Sequence, residues 1–376
     1  MRIGVLGGGQ LARMLALAGH PLGMSFVFVD PAADACAQSL GQHQISDWSG
    51  EHLIEALAGC DRVTFDFENV PAHTLTQLTD HFNVAPSAKA LSISQDRLDE
   101  KALFHDHGMA VAPHAAVSDR PGLLAALADL GCPAILKTRR MGYDGKGQYR
   151  LDTPEDCEPA WQTMAEAPGG LILEQRVPFT AECALTAVRS QHGEVRFYPL
   201  TWTHHEAGIL RFALGGARWL ESFQHQAEAQ VRPILEALGY VGAMTVELFV
   251  TETGLVVNEM APRVHNSAHW TIDGAVCSQF ENHLRAIADL PLGATAATGA
   301  ALMINFIGQL PSTDALAVPG LHWHAYGKAP RPGRKVGHAT WVVDDESSLM
   351  AGLDGLGPAM DANAFQALTG WIKSVG

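Results

Sequence analysis

The chain begins with a short apolar run that leads through three consecutive glycines into a helical pattern. Residues 2–6 are typical of a buried strand, and Leu11, Met14, Leu15 and Ala18 recur at the spacing of one helix face. A second apolar strand, SFVFVD, and further helix–strand alternation follow it. Strands that alternate with helices in this way predict a parallel α/β sheet with helices on its faces.

The glycine turn also fits a dinucleotide-binding fingerprint. Gly7, Gly9 and Ala12 match the G-x-G-x-x-G/A pattern, and Asp30 ends the next strand, near the position from which an acidic residue binds a ribose. The pattern alone makes a nicotinamide oxidoreductase one hypothesis. The alternatives are a site for another ligand and a turn without a ligand, because glycine suits a sharp change from strand to helix.

Length, charge and cysteine content limit the class of protein. A chain of 376 residues exceeds the roughly 250–300 residues that one core usually spans, so we expect two or three domains. The formal net charge of −15 argues against general binding to nucleic acid or to an anionic membrane. The six cysteines include no C-x-x-C pair, and no run reaches the ~18 apolar residues of a membrane span, so we expect reduced thiols in a cytoplasmic protein.

The sequence changes character twice, which divides it into three predicted domains. Near Gln95 a capped and charged helical pattern begins, SQDRLDEKALFHDHG, which ends at Gly108. From Ala296 onward, short strand-like runs alternate with Pro- and Gly-rich connections. We therefore predict an α/β domain over 1–95, a larger α+β domain over 96–295 and a small β-rich domain over 296–376.

A hairpin in the middle of the chain carries two glutamates. In AMTVELFVTETGLVVNEM, a three-residue turn centred on Thr253 pairs the two arms so that Glu247 faces Glu259. Facing like charges destabilise a hairpin, whereas a divalent cation between them removes the conflict. Oxygen ligands, with Asn258 beside them, suit magnesium. The alternative is a register shifted by one residue, with one glutamate in solvent.

The stretch AILKTRRMGYDGKGQYRL joins a buried strand to a basic, glycine-rich loop. Lys137 ends the strand, where a lysine needs an anionic partner, and the loop offers backbone amides and Lys146 to phosphate oxygens. The loop is not a Walker A motif, because Gly147 stands where Ser or Thr should follow the lysine. Glu174 in LILEQRV is a candidate for an adenine edge and Glu182 for ribose hydroxyls. The alternative is a solvated surface loop.

These features together resemble the ATP-grasp superfamily. Within it, five stretches resemble the N5-carboxyaminoimidazole ribonucleotide synthetase family: GGGQLARML, FEN at 67–69, KTRRMGYDGKGQ, APRVHNSAHWTIDGAVCSQFENHLRAI and HAYGKAPRPGRKVGH. The resemblance implies a three-domain ATP-grasp fold, α/β and α+β, with an N-terminal Rossmann-like pre-ATP-grasp domain, and a homodimer. It also implies a carbon–nitrogen ligase of de novo purine biosynthesis. ATP and bicarbonate would give carboxyphosphate, which would carboxylate the exocyclic amine of 5-aminoimidazole ribonucleotide (AIR), with release of ADP and phosphate.

The same resemblance implies roles for individual residues. The ATP site would contain Arg97, Lys137, Gly142, Tyr143, Asp144, Gly145, Lys146, Gly147, Gln148, Glu174, Gln175, Arg176, Val177, Glu182, His205, Asn258 and Glu259. Magnesium, with manganese as the alternative ion, would bind Glu247 and Glu259, while bicarbonate and carboxyphosphate would meet Arg263, His265 and Asn266. The ribonucleotide would contact Gln10, Leu11, Glu68, Tyr143, Asp144 and Ser267, with Lys328, Arg334 and Lys335 on its phosphate.

The sequence departs from the family pattern at a few positions and leaves several questions open. Gly8 stands where relatives often carry Asn, and Met141 where Gly is common. His204 and His205 are adjacent, so either is a candidate for ATP. The basic run at 328–335 is, by itself, more typical of a solvated loop. The other functional hypotheses are the nicotinamide oxidoreductase, a different ATP-grasp ligase such as a biotin carboxylase or a formate-using transformylase, and a non-catalytic ATP-binding regulator.

Overall fold

The computed structural model describes residues 1–49, 51–142 and 145–374, and their N-terminal part forms the predicted parallel sheet. Its strands are β1 (Arg2–Leu6), β2 (Ser25–Asp30), β3 (Gln42–Ile45) and β4 (Arg62–Phe65), in the order β3-β2-β1-β4. Its helices are α1 (Gln10–Gly19), α2 (Glu51–Ala56), α3 (Ala72–Leu78) and α4 (Ala88–Ser94). β1 and β2 are buried along most of their length, as their continuous apolar runs predict.

The strand that ends in the predicted lysine lies in a second sheet, which is antiparallel. Its strands are β5 (His114–Val117), β6 (Ala134–Thr138), β7 (Gln148–Leu151) and β8 (Leu171–Gln175), in the order β5-β8-β6-β7. The helices of this region are α5 (Arg97–Asp106), α6 (Arg120–Leu130) and α7 (Cys157–Met164). The predicted cap of α5 is present, because Asp96 accepts a hydrogen bond from the Leu98 backbone N at 3.1 Å.

The third sheet has nine strands and includes the glutamate hairpin. Its strands are β9 (Ala181–Arg189), β10 (Val195–Phe197), β11 (Thr201–Glu206), β12 (Ile209–Gly215), β13 (Gly242–Thr251), β14 (Gly254–Ala261), β15 (Ala300–Ile307), β16 (Leu321–Ala325) and β17 (Lys335–Val343). Their order is β14-β13-β9-β11-β12-β15-β17-β16, with β10 paired to β9. The accompanying helices are α8 (Glu221–Ala237), α9 (Thr271–Gly274), α10 (Gln279–Ile287), α11 (Glu346–Gly352) and α12 (Ala362–Lys373).

The strands of the expected third domain continue this sheet. β15 pairs with β12 on one side and with β17 on the other, so the sheet crosses the domain limit expected at residue 296. The largest hydrophobic core includes side chains from this sheet, from α8 and from α12. The C-terminal strands therefore belong to the same continuous sheet as the hairpin that carries the two glutamates. Along the described ranges, no helix is both long enough and apolar enough to cross a membrane.

The hairpin places Glu247 opposite Glu259, as predicted, but the predicted three-residue turn is wrong. Thr251 pairs with Gly254, so the turn contains two residues and the register next to it differs by one from the prediction. Asn258 is an extra residue that bulges out of β14, and this bulge restores the predicted register at the glutamates. The two glutamates face each other because of a bulge that the sequence reasoning did not include.

Candidate active site

Two glutamates of the hairpin form the acidic centre of the site. Glu247 faces Glu259, and Asn258 Nδ2 lies 3.5 Å from Glu247 Oε2. Burial raises the pKa of Glu247 to about 7; His205 acts against this shift and Glu259 adds to it. Burial also opposes the charge of Glu259, but Arg97, whose Nη1 donates to Glu259 Oε2 at 2.8 Å, lowers its pKa. Two facing, partly exposed carboxylates with an amide beside them are a donor set that fits Mg2+.

Lys137 and Glu174 form a buried ion pair on the antiparallel four-stranded sheet. Lys137 Nζ donates to Glu174 Oε2 at 2.8 Å, and Lys101 Nζ lies 3.3 Å from Glu174 Oε1. Burial opposes the charge of Glu174, but Lys137 and Lys101 outweigh it and lower the pKa of this carboxyl to about 2. The Glu174 carboxylate, which we expected to meet an adenine edge, is therefore held between two lysines.

The first turns of α5 connect these two groups, and the sequence reasoning identified only Arg97 among them. Glu100 Oε1 accepts from the Met260 backbone N at 2.7 Å, next to Glu259, and Lys101 contacts Glu174. Arg97, Glu100 and Lys101 stand at i, i+3 and i+4, so they share one helix face. Glu100 and Lys101 are only 2% and 1% exposed. Charged residues at the spacing of a buried helix face were the signal that could have revealed them.

The base of the glycine loop is attached to the same helix. Asp96, the cap of α5, accepts from Arg139 Nη2 at 2.7 Å and from Arg140 Nε at 3.1 Å. The Arg97 backbone N also donates to Arg139 O at 3.1 Å. The loop therefore begins at a fixed distance from the helix that carries Arg97.

The glycines of the loop are required by close contacts on both sides. Gly145 and Gly147 have φ values of 74° and 71°. A Cβ on Gly147 would lie 2.7 Å from Thr138 Oγ1 on β6, and one on Gly145 would lie 3.0 Å from Ala207 O in the turn after β11. The loop thus approaches the antiparallel four-stranded sheet on one side and the nine-stranded sheet on the other. Of the other predicted loop residues, Gly142 and Lys146 lie in the loop, Gln148 begins β7, and Tyr143 and Asp144 lie outside the described residues.

Met141, where the sequence departs from the expected family pattern, adopts a left-handed backbone conformation. Its φ is 62°, and its side chain is 61% exposed. This conformation costs a residue with a Cβ about 1 kcal/mol, which glycine avoids. A glycine at this position would therefore relieve backbone strain.

The structure separates the two adjacent histidines. His205 Nδ1 lies 3.2 Å from Glu182 Oε2. Burial opposes the charge of His205, but Glu182 and Glu247 outweigh it and raise its pKa. His204 stacks instead on Phe212, with ring centroids 5.8 Å apart. His205 is therefore the histidine on the side of the two acidic residues, although its contact with ATP stays a prediction.

The segment after β8 is fixed by hydrogen bonds to the end of α6 and the start of β6. Arg176 N donates to Pro133 O at 3.0 Å, and Gln175 Nε2 donates to Leu130 O at 3.0 Å. Val177 lines a cavity of about 160 Å³ whose walls include β14 and the segment before β5. These three predicted ATP residues thus border a small, mainly apolar cavity.

His265 lies in the loop that follows β14, close to Glu247. Its Nδ1 is 2.9 Å from Ser267 Oγ, and its Nε2 is 3.7 Å from Glu247 Oε1. Burial, with the charge of Arg263, lowers the pKa of His265 well below its usual value. His265 is therefore neutral near pH 7, and its ring can donate at one nitrogen and accept at the other.

Asn266 is engaged by a residue that the sequence reasoning missed. Its Nδ2 donates to Asn305 Oδ1 at 3.2 Å, and Asn305 Nδ2 donates back to Asn266 Oδ1 at 2.5 Å. Both side chains are buried, and Asn305 lies on β15. The pair fixes the predicted bicarbonate loop to the C-terminal strands. No local pattern in the sequence indicates this contact.

The predicted ribonucleotide residues come together from all three parts of the chain. Glu68 Oε2 accepts a hydrogen bond from Arg263 Nε, and Gln10 Oε1 accepts one from Lys328 Nζ. Burial opposes the charge of Glu68, but Arg263, with a smaller effect from Lys335, lowers its pKa. Among the other predicted residues, Leu11 is buried in α1, Ser267 is buried beside His265, and Arg334 Nη1 donates to Ala329 O at 3.2 Å.

The backbone amides of the N-terminal glycine turn donate hydrogen bonds to two aspartate side chains of the same chain. Gly8 N donates to Asp30 Oδ2 at 2.7 Å, and Gly9 N and Ala12 N donate to Asp66 Oδ2 at 2.9 and 3.2 Å. A dinucleotide site needs these amides for a pyrophosphate, which the two aspartates would repel. The geometry therefore argues against the nicotinamide hypothesis.

Asp66 should make stability depend on pH. Burial raises its pKa from 3.8 to about 6, with the Ala12 and Gly9 amides acting against the shift. Because the folded-state pKa is raised, the contribution of Asp66 is fully present below the unfolded-state pKa and is lost as pH rises through about 6. Between about pH 4 and about pH 8, the free energy of unfolding of the wild type should therefore fall by ~2–3 kcal/mol relative to D66N. Urea denaturation across this range measures it, with D80N as the control at an exposed aspartate. A constant difference between wild type and D66N would contradict the assignment.

Known proteins match this chain over nearly its whole length. The N5-carboxyaminoimidazole ribonucleotide synthase of Pseudomonas aeruginosa is 51% identical over 353 residues, which cover 93% of this chain and 97% of the relative. The chain belongs to the N5-carboxyaminoimidazole ribonucleotide synthase family. The family member of Escherichia coli is 40% identical, over 95% of this chain and 94% of that protein.

Solved structures and family models agree with this membership. The synthetase of Thermus thermophilus superposes with a TM-score of 0.91 at 46% identity, over 96% of this chain and 98% of that one. The enzyme of Aspergillus clavatus, solved with ADP and 5-aminoimidazole ribonucleotide, has a TM-score of 0.88 at 28% identity, over 97% and 98%. The model of the ribonucleotide synthetase preATP-grasp domain matches residues 1–95, that of the ATP-grasp domain 102–280, and that of the phosphoribosylaminoimidazole carboxylase C-terminal domain 301–351.

Membership in this synthase family confirms the predicted three-part ATP-grasp fold and the assignment as an ATP-grasp ligase. The nicotinamide oxidoreductase hypothesis is wrong. The matched ranges follow the order of the three predicted domains, whose limits at 95 and 295 stay a prediction.

Proposed function

We propose that this chain carries out the ATP-dependent carboxylation of AIR with bicarbonate, which gives N5-carboxyaminoimidazole ribonucleotide, ADP and phosphate in de novo purine biosynthesis. The observation that carries the proposal is one continuous set of contacts. The hairpin pair Glu247 and Glu259 lies beside Arg97 and His265, and Arg263 joins the same loop to Glu68 of the N-terminal part. Groups suited to a metal, to phosphates and to a second substrate thus adjoin one another.

Magnesium would bind Glu247 and Glu259, with manganese as the alternative ion. The facing carboxylates and the raised pKa of Glu247 support this placement, because a cation would compensate both charges. When bound, the ion would supply charge neutralisation to the ATP phosphates. Arg97 keeps Glu259 ionised and holds its orientation through the bond at 2.8 Å.

The first chemical step transfers the γ-phosphoryl group of ATP to a bicarbonate oxygen. This step brings anions together, so it depends mainly on alignment and on positive charge. Lys137 and Arg97 would meet the ATP phosphates, and the glycine loop would cover them. Arg263 would hold bicarbonate and then carboxyphosphate, beside the neutral ring of His265.

The second step joins carbon to nitrogen. The exocyclic amine of AIR attacks the carboxyl carbon derived from carboxyphosphate, the bond from that carbon to the phosphate oxygen breaks, and the departing phosphate takes the amine proton. Glu68 and Gln10 would orient the ribonucleotide, while Lys328, Arg334 and Lys335 would hold its phosphate. Carboxyphosphate hydrolyses readily in water. A site formed between three parts of the chain would protect this intermediate by excluding water.

A reconstituted assay tests this proposal. The protein is mixed with ATP, Mg2+ and bicarbonate, and ADP is measured with and without AIR. We expect AIR-dependent ADP formation, and no ADP formation when biotin or formate with its cognate ribonucleotide replaces AIR. Absence of AIR-dependent ADP would overturn the proposal and favour an ATP-binding regulator, whereas turnover with biotin or formate would favour another ATP-grasp ligase.

We also propose a cytoplasmic homodimer, which sedimentation and cell fractionation can test.

Arg334→Ala should weaken binding of the ribonucleotide specifically. A guanidinium on a phosphomonoester makes charge-assisted bonds, so we expect KM for AIR to rise about tenfold while KM for ATP stays unchanged. R120A is the control, since Arg120 is an exposed arginine paired with Glu158 on the surface. A rise confined to KM for ATP would contradict the placement of Arg334.

A further inference from the structure

Lys101 is a buried lysine outside the set of residues that the sequence or the family resemblance identified. It lies on α5, is 1% exposed, and has its Nζ 3.3 Å from Glu174 Oε1. The other oxygen of Glu174 accepts from Lys137 Nζ at 2.8 Å. One buried carboxylate therefore stands between two ammonium groups, a costly arrangement unless a further anion is present for part of the time.

The charge count explains why the second lysine matters. If Glu174 faced Lys137 alone, the two charges would cancel, and Lys137 would have little attraction left for a phosphate. With Lys101 on the other oxygen, the three groups carry a net charge of +1. The shared carboxylate holds Lys137 in position, and the positive net charge of the three groups attracts an incoming anion.

The helix that carries Lys101 fixes its position relative to the metal-site hairpin. One turn earlier, Arg97 donates to Glu259 at 2.8 Å, and the adjacent Glu100 accepts from Met260 N at 2.7 Å. The same helix face therefore contacts the nine-stranded sheet through the hairpin and the four-stranded sheet through Glu174. Through Glu174, Lys101 therefore connects Lys137 to the helix that contacts the hairpin.

We propose that Lys101 is a positioning residue for ATP: by contacting the second oxygen of the Glu174 carboxylate, it holds Glu174 and Lys137 in place and leaves the three groups with a net positive charge for the nucleotide phosphates. Lys101 acts through Glu174 and does not itself contact the nucleotide. The inference rests on the proposed function only in that the site binds ATP, and it extends that function by one residue.

The test is calorimetric binding of ADP in the presence of Mg2+, without AIR or bicarbonate. K101M keeps the length of the side chain and removes its charge, and we expect the Kd for ADP to rise about tenfold. K89M is the matched control, because Lys89 is an exposed lysine on the preceding helix whose Nζ donates to Ala237 O at 3.0 Å. Its Kd should equal that of the wild type.

A double-mutant cycle with E174Q separates positioning from a general loss of structure. Without the carboxylate there is nothing for Lys101 to share, so adding K101M to E174Q should change the Kd less than about threefold. An equal loss of affinity in both backgrounds would overturn the proposal, and so would an unchanged Kd for K101M alone. If K101M does not fold, a rise in Kd of about tenfold from E174Q to E174Q/K101M would still overturn the proposal, because Lys101 would then act without the Glu174 carboxylate. ADP binding is measured without turnover, so its result can be interpreted even if the carboxylation assay fails.

Discussion

Glu259→Gln is expected to lower the rate of ATP cleavage by about a thousandfold while the protein stays folded. The glutamine has nearly the same shape but no charge, so the ion facing Glu247 would lose one of its two carboxylates. The loss of the 2.8 Å pair with Arg97 destabilises the fold, whereas the end of the repulsion with Glu247 stabilises it, and the two effects oppose each other. ADP release under saturating substrates measures the first effect, and thermal unfolding the second.

The same hairpin offers a matched control. Glu252 lies in its two-residue turn and is exposed, so E252Q should retain the wild-type rate. Raising Mg2+ should restore part of the activity of E259Q if the residue acts through the ion. Near wild-type turnover of E259Q at ordinary Mg2+ would show that the facing carboxylates do not bind the ion.

Arg263→Lys is expected to lower bicarbonate-dependent ATP cleavage by about a hundredfold. Arg263 contacts Glu68 through Nε and donates to Val264 O through Nη1 at 3.0 Å, so its planar group bridges two parts of the chain. Lysine keeps the positive charge but has a single nitrogen, which cannot hold both partners and an anion in one plane. The defect should therefore appear in kcat more than in KM for ATP.

R285K provides the comparison for Arg263. Arg285 is a partly buried arginine on α10 that pairs with Glu281, and neither residue belongs to the proposed site. Steady-state kinetics of both variants at several bicarbonate concentrations would separate a specific effect from a general effect of replacing arginine. Activity of R263K within about threefold of the wild type would mean that charge alone suffices at this position.

The sequence predicted the local elements and most members of the site, because these depend on short patterns. The glycine turn before α1, the cap of α5, the lysine at the end of β6 and the glutamate hairpin all follow from the residues themselves. The pairing of Glu247 with Glu259 was also predicted, although a compensating bulge and a shorter turn produce it. A bulge changes the register without a strong local signal, so its presence could not be derived.

The sequence could not distinguish residues whose roles depend on which side of an element they face. His204 and His205 are neighbours, yet one stacks in an aromatic cluster and the other pairs with Glu182. In the sequence, Glu100 and Lys101 resemble surface charges of a polar helix. Only the tertiary structure shows that Glu100 contacts the hairpin and Lys101 contacts Glu174. Asp30 matched a ribose-binding acid but holds the Gly8 amide.

By itself, the sequence determined the ATP-grasp family, the order of the three parts and the chemical groups available for binding a metal, phosphates and a ribonucleotide. The tertiary structure alone decided which of those groups meet. Arg97 and Glu259 are 162 residues apart in the chain, Glu68 and Arg263 are 195 apart, and Gln10 and Lys328 are 318 apart. Short-range periodicity and turn chemistry determine an element and its faces, but contacts over such separations depend on how complete sheets pack. The balance of charge at Lys101, Glu174 and Lys137 is a property of that packing.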